Sequence, residues 1–433
     1  MRAPFGDLLA FRADRLAFLT RLARERGDVS TFRIGPYRVW QLAHPDLVRG
    51  VLVTHAARFR KGPVLQRARI VLGDGLLTAE GAHHRRHRRL LQPAFHPQRV
   101  HEYATTMVDR AERTTRTWQP GKAVDVHAQA VRMTLATAGA TLLGTDVEAD
   151  VDLVQSAIDD LLSAYRLAFV PFGWRLQHLP VGPPRRLRRG RRALHGLVDR
   201  AIADRRTRRE DRGDLLSTLV LADEQDRLTD DEIREEALTL LLAGHETTAN
   251  ALAFALHLLA SDPALQDRVH EEVDGVLAGR PPTADDRERL PVCRGVFAEA
   301  LRLFPPSWAM GRQCIEDHPL DGHTIPVGDL VVLPQWVVHQ DPRWWEDPTR
   351  CDPDRWTADA PTRRPRFAYF PFGGGIRQCI GEGFAWTEGV LALASILRQW
   401  RLGPVTERPL ALEPLITLRP RNGVWLRPRL RDA

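Results

Sequence analysis

The chain has 433 residues, of which 43% are hydrophobic and 27% charged, and it has no low-complexity tract or internal repeat. This composition excludes a disordered or fibrous protein. The formal net charge of +7 comes almost entirely from arginine, because Lys61 and Lys122 are the only lysines. The arginines are not interleaved with aromatic residues, so an acidic protein is a better partner than nucleic acid.

The cysteines and the N-terminal segment indicate a cellular setting. No two of the four cysteines form a C-x-x-C pair, and none has zinc-like spacing to histidine, so we expect neither a disulfide framework nor structural zinc. Charged residues interrupt the N-terminal segment, which excludes a signal peptide and a membrane-spanning helix. We therefore expect a soluble, cytoplasmic protein without a membrane anchor.

The first half of the chain predicts a small sheet followed by a helical body. Strand-like segments occur at Val29–Ile34 and Arg38–Leu42, joined by a Gly-Pro turn. From about Gln98 to Leu290 the periodicity is mainly helical. One segment of this body is rich in arginine between Arg185 and Arg192. We interpret it as a solvated helix face, with an anionic docking site as the alternative.

The clearest helix begins with a capping box formed by Thr229 and Glu232 and runs to Leu259. At 1.5 Å per residue it is about 45 Å long, enough to cross the molecule. Beyond it, short strands are predicted at His323–Pro326 and Leu330–Leu333, and a final helix follows Cys379. No linker separates independent units, so we expect a single catalytic domain over residues 1–433.

A glycine-rich loop precedes the final helix, with the sequence FPFGGGIRQCIG from Phe370 to Gly381. Consecutive glycines allow the backbone to turn tightly and to approach a flat ligand closely. Cys379 lies at the entrance to a helix, where backbone N–H groups and the helix dipole stabilise a thiolate suited to binding metal. Arg377 supplies a positive charge for a carboxylate.

This loop resembles the cysteine-ligand loop of the cytochrome P450 family, F-x-x-G-x-R-x-C-x-G, at every defining position: Phe372, Gly375, Arg377, Cys379 and Gly381. The resemblance implies a mainly α cytochrome P450 fold, a large helical body with small peripheral β-sheets. It also implies haem b, with Cys379 as the proximal iron ligand, Phe372 beside its sulfur, and Arg377 on a haem propionate.

A second motif, Glu299-Ala-Leu-Arg302, places an acid and a base on one helix face, which alone could be a surface ion pair. Within the family it resembles the E-x-x-R helix, and Arg355 resembles the third member of that charged network. Cys351 stands where the family usually has an aromatic residue, so we expect a local packing change there.

A third motif lies midway along the long helix, Ala243-Gly244-His-Glu246-Thr247-Thr. Glycine and threonine both weaken a helix interior, which suggests a functional reason. The motif resembles the family's oxygen-activation groove, in which Ala243 and Gly244 leave space over the iron. Glu246 and Thr247 match the acid and alcohol that deliver protons to iron-bound oxygen.

The resemblance further assigns His84 and Arg88, four positions apart on a basic helix, to the haem propionates, although His84 is one of three candidate histidines. Arg312 resembles another propionate-binding position. A merely basic surface helix is the alternative for the first pair.

Family comparison places the substrate pocket near segments that are mostly apolar or aromatic, which predicts a compact hydrophobic substrate. A terpene is the first hypothesis, with fatty acids, polyketides and steroids behind it. The candidate pocket residues are Phe169, Phe172, Trp174, Trp308, Met310 and the segment Leu415-Ile416-Thr417.

No dinucleotide-binding motif or iron–sulfur cysteine pattern occurs, so electrons from NAD(P)H must arrive through separate proteins, a ferredoxin and a ferredoxin reductase. We expect a monooxygenase that consumes O2. The alternatives are a peroxide-driven oxygenase of the same fold and a haem gas sensor or ligand carrier without turnover.

Overall fold

A computed structural model of the chain describes residues 6–145, 151–165, 182–222, 227–320, 322–357 and 364–431. The N-terminal part contains a small sheet and several short helices. Its helices are α1 (Gly6–Ala13), α2 (Arg15–Arg26), α3 (Pro45–Arg49), α4 (Pro63–Arg67), α5 (Arg69–Leu72) and α6 (Gly81–Leu91). Its strands are β1 (Val29–Ile34), β2 (Tyr37–Leu42) and β3 (Phe59–Lys61).

The helical body follows. Its helices are α7 (Pro97–Thr115), α8 (Val126–Leu142), α9 (Val151–Tyr165), α10 (Pro183–Arg208), α11 (Leu215–Val220), α12 (Asp230–Ser261), α13 (Pro263–Leu277) and α14 (Pro291–Leu303). A two-residue strand, β4 (Val124–Asp125), precedes α8. The predicted helical periodicity is therefore confirmed where the chain is described. Most of the predicted arginine run is exposed on α10, as expected of a solvated face.

The C-terminal part contains short strands and two further helices. Its strands are β5 (Met310–Cys314), β6 (His318–Leu320), β7 (His323–Ile325), β8 (Leu330–Leu333), β9 (Trp400–Pro404), β10 (Leu412–Pro414), β11 (Leu418–Pro420) and β12 (Trp425–Leu430). Its helices are α15 (Gln335–Val338) and α16 (Glu382–Gln399). Helix α16 is the predicted final helix.

The strands form four small sheets at the periphery of the helices. The largest has the order β1-β2-β8-β5-β3, with β2 and β8 parallel and the remaining neighbours antiparallel. The others are β4-β12-β9, β10-β11 and β6-β7, all antiparallel. The mainly α fold with small sheets is therefore confirmed.

Helix α12 is the central element of the core. Its capping box is present, because Thr229 accepts from the Glu232 backbone while the Glu232 side chain accepts from the Thr229 backbone. The helix is apolar on nearly all sides from Ala249 to Leu256 and packs against α8, α14 and α16. A helix buried all round is expected in the centre of a large protein. None of the helices in the described part of the chain combines the length and hydropathy needed to cross a bilayer.

Candidate functional site

The glycine-rich loop folds back on itself before α16. Gly373 and Gly375 both have positive φ, 72° and 67°, and a Cβ on Gly375 would collide with the Leu52 carbonyl oxygen. The loop closes through the Cys379 backbone N–H, which donates to the Phe372 carbonyl at 2.9 Å. Glycine at these two positions therefore allows the turn that presents Cys379 just before the helix, at whose N-cap Gly381 stands.

The Cys379 thiol is accessible and yet closely surrounded by protein. Its side chain is accessible to solvent. Nevertheless, protein surrounds it closely enough that burial raises the pKa of the thiol to about 11, opposed in part by the Gly381 backbone N–H. Both observations hold for a group that lines an interior cavity. A metal ion placed there would bind the thiolate, because a coordinating thiol is deprotonated.

A strip of α12 is accessible in the middle of an otherwise buried helix. Ala243, Gly244, Glu246 and Thr247 are all partly exposed, although the next turn is fully buried. A Cβ on Gly244 would meet no atom within 4 Å. The Thr247 hydroxyl donates to the Ala243 carbonyl at 2.8 Å, a bond to the preceding turn that locally bends helices. The helix therefore borders open space at this motif.

Glu246 is held by a residue from the C-terminal part of the chain. Thr417 Oγ1 donates to Glu246 Oε1 at 2.7 Å, and Asn250 Nδ2 lies 3.5 Å from the same hydroxyl. His127 Nε2 is 2.8 Å from Asn250 Oδ1. These four side chains form a polar chain between α8, α12 and the loop before β11. The sequence predicted Glu246 as a site residue and Thr417 near the pocket, but not the hydrogen bond between them, nor the part played by Asn250 and His127.

A cluster of positive side chains lies between α6, β5 and the cysteine loop. His84 is buried, and burial together with the charges of Arg377, Lys61, Arg88 and Arg85 lowers its pKa to about 3. Arg88 donates to the Gln378 carbonyl, next to Cys379, at 2.6 Å. The structure therefore brings the predicted His84 and Arg88 to the cysteine loop.

The same cluster contains two further cations. Burial and the nearby Arg377 guanidinium lower the pKa of Arg312 to about 10 and that of Lys61 to about 7. Lys61 donates to the carbonyls of Leu76 and Ala79 at 3.0 and 2.8 Å. Lys61 was not among the predicted site residues, although the rarity of lysine in this arginine-rich chain could have identified it.

The Glu80 carboxylate offsets part of the positive charge of this cluster. Glu80 pairs with Arg377 and accepts from the Lys61 backbone N–H at 2.7 Å. Arg377 also donates to the Ala79 carbonyl at 3.2 Å. The cluster therefore has an excess of positive charge, which adds to burial in lowering the pKa of His84, Lys61 and Arg312. An anionic group between these residues would offset that excess.

The Glu299-x-x-Arg302 pair is fully buried. Two parallel bonds of 2.8 and 2.7 Å join the guanidinium to the carboxylate, and both side chains are 0% exposed. The carboxylate also accepts from Trp356 Nε1 and from the Asp352 backbone, both at 2.9 Å. Arg355 Nε lies 3.8 Å from Glu299 Oε2, so the predicted third member is present at a longer distance. The surface-pair alternative is therefore excluded.

Arg302 also binds the segment that precedes the cysteine loop. Its guanidinium donates to the backbone carbonyls of His339, Pro348 and Arg350 at 3.1, 2.6 and 2.8 Å. Cys351, where the family usually has an aromatic residue, is partly buried against the main core. Burial raises the pKa of its thiol to about 12. The network therefore attaches the segment that contains His339, Pro348 and Arg350 to α14. The Cys351 thiol packs beside it as a small apolar group.

The proposed pocket wall is described only in part. Phe169, Phe172 and Trp174 lie outside the described residues. Trp308 is buried, and its indole N–H donates to the Leu415 carbonyl at 3.1 Å. The side chain of Met310 lies against Gly373 of the cysteine loop. The structure therefore connects the segment before β5 with both the loop before β11 and the cysteine loop.

Comparisons with known proteins agree with this geometry. A family model described as Cytochrome P450 matches residues 4–427. Cyclooctatin synthase of Streptomyces melanosporofaciens is 38% identical, over 95% of this chain and 91% of its own length. Cyclooctat-9-en-7-ol 5-monooxygenase of the same organism is 37% identical, over 92% and 88%.

A third relative, pentalenene oxygenase of Streptomyces avermitilis, is 36% identical, over 92% of this chain and 89% of its own length. Among solved structures, the haem domain of cytochrome P450DA superposes with a TM-score of 0.89 at 29% sequence identity. That superposition covers 98% of this chain and 95% of the solved chain.

Proposed function

The chain belongs to the cytochrome P450 family of monooxygenases, and on that basis we propose that it inserts one oxygen atom of O2 into a cyclic terpene. The observation that carries this proposal is the accessible Cys379 thiol at the entrance to α16. We treat residues 1–433 as one catalytic domain. A cytoplasmic location is proposed with it, because the four cysteines are unpaired.

The residues present fit haem, the family's cofactor, which we propose is haem b. Cys379 would bind the iron. Phe372 and Gly375 would shape the loop around it, and Gly381 is the N-cap of the helix that follows. His84, Arg88, Arg312 and Arg377 would hold the two propionates, whose negative charges match the uncompensated positive cluster. When bound, this group would supply the activation of O2.

Glu246 and Thr247 are proposed to deliver protons to that reaction. Glu246 lies on the accessible strip of α12, where Ala243 and Gly244 leave room beside the helix. The Thr417 hydroxyl donates a hydrogen bond to one oxygen of the Glu246 carboxylate, and this bond fixes the orientation of the carboxylate. Asn250 and His127 extend the polar chain away from the strip and help to orient the Thr417 hydroxyl.

A terpene hydrocarbon or alcohol is the proposed substrate. Two relatives that match more than nine-tenths of this chain are named for their action on cyclooctat-9-en-7-ol and pentalenene. Of the residues on the accessible strip of α12, only Glu246 is charged, which suits an apolar ring system. Screening a panel of cyclic terpenes for the optical shift at the haem tests this. A response confined to fatty acids or macrolides would contradict it.

Electrons are proposed to come from NAD(P)H through a ferredoxin reductase and an acidic ferredoxin. A surface cleft of about 970 Å³ lies over α6 and the cysteine loop, and Glu102 is its one acid. Its other lining residues are His84, Arg85, Arg88, Arg89, Gln92, Pro93, His96, Gln98, Arg99 and Ile376. Such a basic surface steers an acidic protein towards the thiolate side of the haem.

The deciding experiment is the difference spectrum of the reduced, carbon-monoxide-bound protein, recorded for wild type and for Cys379→Ala, with Cys351→Ala as the control. A red-shifted Soret band that is lost only in Cys379→Ala supports thiolate ligation. A protein that purifies without haem would overturn the proposed function. Product formation with NAD(P)H, reductase and ferredoxin distinguishes a monooxygenase from a gas sensor. Product formation with peroxide as the sole oxidant would indicate a peroxide-driven enzyme.

A further inference from the structure

A histidine–carboxylate cluster joins α6 to the start of α12, away from the cysteine loop. It consists of His83, His87 and Glu232, each of which offers one ligand atom, and these atoms all lie within 4.8 Å of one another. His83 and His87 are four residues apart, so they share one face of α6. Their rings are in contact, with centroids 3.9 Å apart. The cluster therefore combines three side chains from two helices.

One nitrogen of His87, Nε2, faces Glu232 in this cluster without a hydrogen bond. The side chain is 1% exposed, and Nδ1 lies 2.5 Å from Glu236 Oε1. The other nitrogen, Nε2, is buried without a hydrogen bond and lies 3.4 Å from Glu232 Oε1. Histidines that bind metals commonly present one nitrogen to the ion while a carboxylate orients the other. Glu236 occupies that orienting position here.

The distance between His87 and Glu232 fits a tetrahedral ion. Ligands bound at about 2.0–2.1 Å around zinc are separated by about 3.3 Å, close to the 3.4 Å between His87 and Glu232. His83 is the less constrained ligand: its Nε2 lies 3.1 Å from the Asp74 carbonyl and 3.9 Å from Asp74 Oδ2. Asp74 or a water molecule could supply the fourth position. The site is therefore built from nitrogen and oxygen donors of the kind that zinc prefers.

The surrounding charges favour a cation but include one competitor. Glu232 and Glu236 face His87, and Asp74 lies beside His83. Arg86 Nη1 donates to Glu232 Oε1 at 3.0 Å, the oxygen that faces His87. The second oxygen, Oε2, accepts from the Thr229 backbone and hydroxyl in the capping box. At Glu232, a metal ion would share or displace the Arg86 contact and would leave the cap of α12 in place.

We propose that His83, His87 and Glu232 form a binding site for a divalent zinc-class cation that fastens α6 to the N-terminal end of α12. The site has no part in the proposed oxygen chemistry. Because α6 also carries His84 and Arg88, occupation of the site would stabilise the helix that is proposed to hold the haem propionates. Zinc should therefore raise the melting temperature of the haem-loaded protein by mass action.

The test is titration of the haem-loaded protein with Zn²⁺ against a chromophoric zinc chelator, after removal of any polyhistidine tag. We expect one equivalent to bind. His83→Gln should weaken binding at least tenfold without unfolding the protein, because that side chain is about one-third exposed. Glu236→Gln should weaken it about tenfold or more by releasing the orientation of His87. Arg86→Gln should instead tighten it, because the competitor for Glu232 is gone.

The matched control is His101→Gln, an exposed histidine on α7 beside Asp285. It should bind zinc as the wild type does. Absence of stoichiometric binding, or equal loss in His83→Gln and His101→Gln, would overturn the proposal and leave the cluster as an ion-pair contact between helices. Since the readout is metal binding, failure here leaves the proposed haem function untouched.

Discussion

Thr417 and Glu246 are 171 positions apart in the chain, yet the Thr417 hydroxyl donates a hydrogen bond of 2.7 Å to the Glu246 carboxylate. The loop before β11 thereby orients the acid of the accessible α12 strip. Because of this contact, the site is formed by two parts of the chain that are distant in sequence, and not by the α12 motif alone. Several expected outcomes depend on this and on the other contacts described above.

Thr417→Val removes the donor while keeping the shape of the side chain. We expect turnover with O2 and the electron donors to fall about tenfold, because Glu246 loses its fixed orientation. Glu246→Gln should cost on the order of 10²-fold, as removal of a general acid usually does. Product formation per NAD(P)H consumed is the measurement. The control is Thr324→Val, on the exposed face of β7. If Thr417→Val forms as much product as this control, the hydrogen bond to Glu246 has no role in turnover.

Glu299→Gln should destabilise the protein by about 3–5 kcal/mol, because it leaves the buried Arg302 guanidinium without its counter-charge. The matched control is Asp354→Asn, which breaks a 2.7 Å pair with Arg268 on the surface. An exposed pair contributes about 0–1 kcal/mol. Thermal unfolding and haem content of the two variants give the comparison. Equal melting temperatures would contradict a structural role for the buried pair.

Glu388 on α16 predicts a pH-dependent stability. Burial raises the pKa of its carboxyl to about 8. Neither oxygen has a hydrogen-bond partner among the described residues, since the nearby Thr137 hydroxyl donates to the Met133 carbonyl. Because the pKa of Glu388 is higher in the folded state than in the unfolded state, the protonated carboxyl contributes to the stability of the fold. This contribution is complete below about pH 4.5 and is lost as the pH rises through 8.

We therefore expect the melting temperature of Glu388→Gln to rise relative to wild type between pH 5.5 and pH 8.5, by the equivalent of about 3 kcal/mol. The amide cannot ionise, so the variant lacks this source of pH dependence. Scans at matched rates, on haem-loaded samples, give the difference at each pH. A constant difference across this range would show that Glu388 does not titrate there.

Reduction by an acidic ferredoxin should slow as salt is added, because the cleft over α6 is basic. Arg85→Glu reverses one exposed charge at that cleft and should lower the association rate several-fold at low salt, with a smaller effect at high salt. Stopped-flow reduction at two ionic strengths provides the measurement. Arg33→Glu, exposed on β1, is the control. Identical salt dependence in the two variants would place the docking surface elsewhere.

The sequence predicted the elements whose signal is local. The capping box at Thr229, the strand Val29–Ile34 and the helix after Cys379 are as expected, because caps, alternation and glycine turns depend on neighbouring residues. The Glu299–Arg302 pair was located, but its complete burial was not evident from spacing. The choice of His84 among three histidines stays a prediction, which its position beside Arg377 and Arg88 supports.

What the sequence by itself determined is the family and the cysteine loop, because a tight turn with glycines at Gly373 and Gly375 can be recognised from twelve consecutive residues. Only the tertiary structure decided the partners: Thr417 for Glu246, Glu80 for Arg377, and Glu232 with Glu236 for His87. These contacts join residues more than 140 positions apart. Such contacts are set by how whole helices and loops pack against each other, which no local pattern of residues encodes.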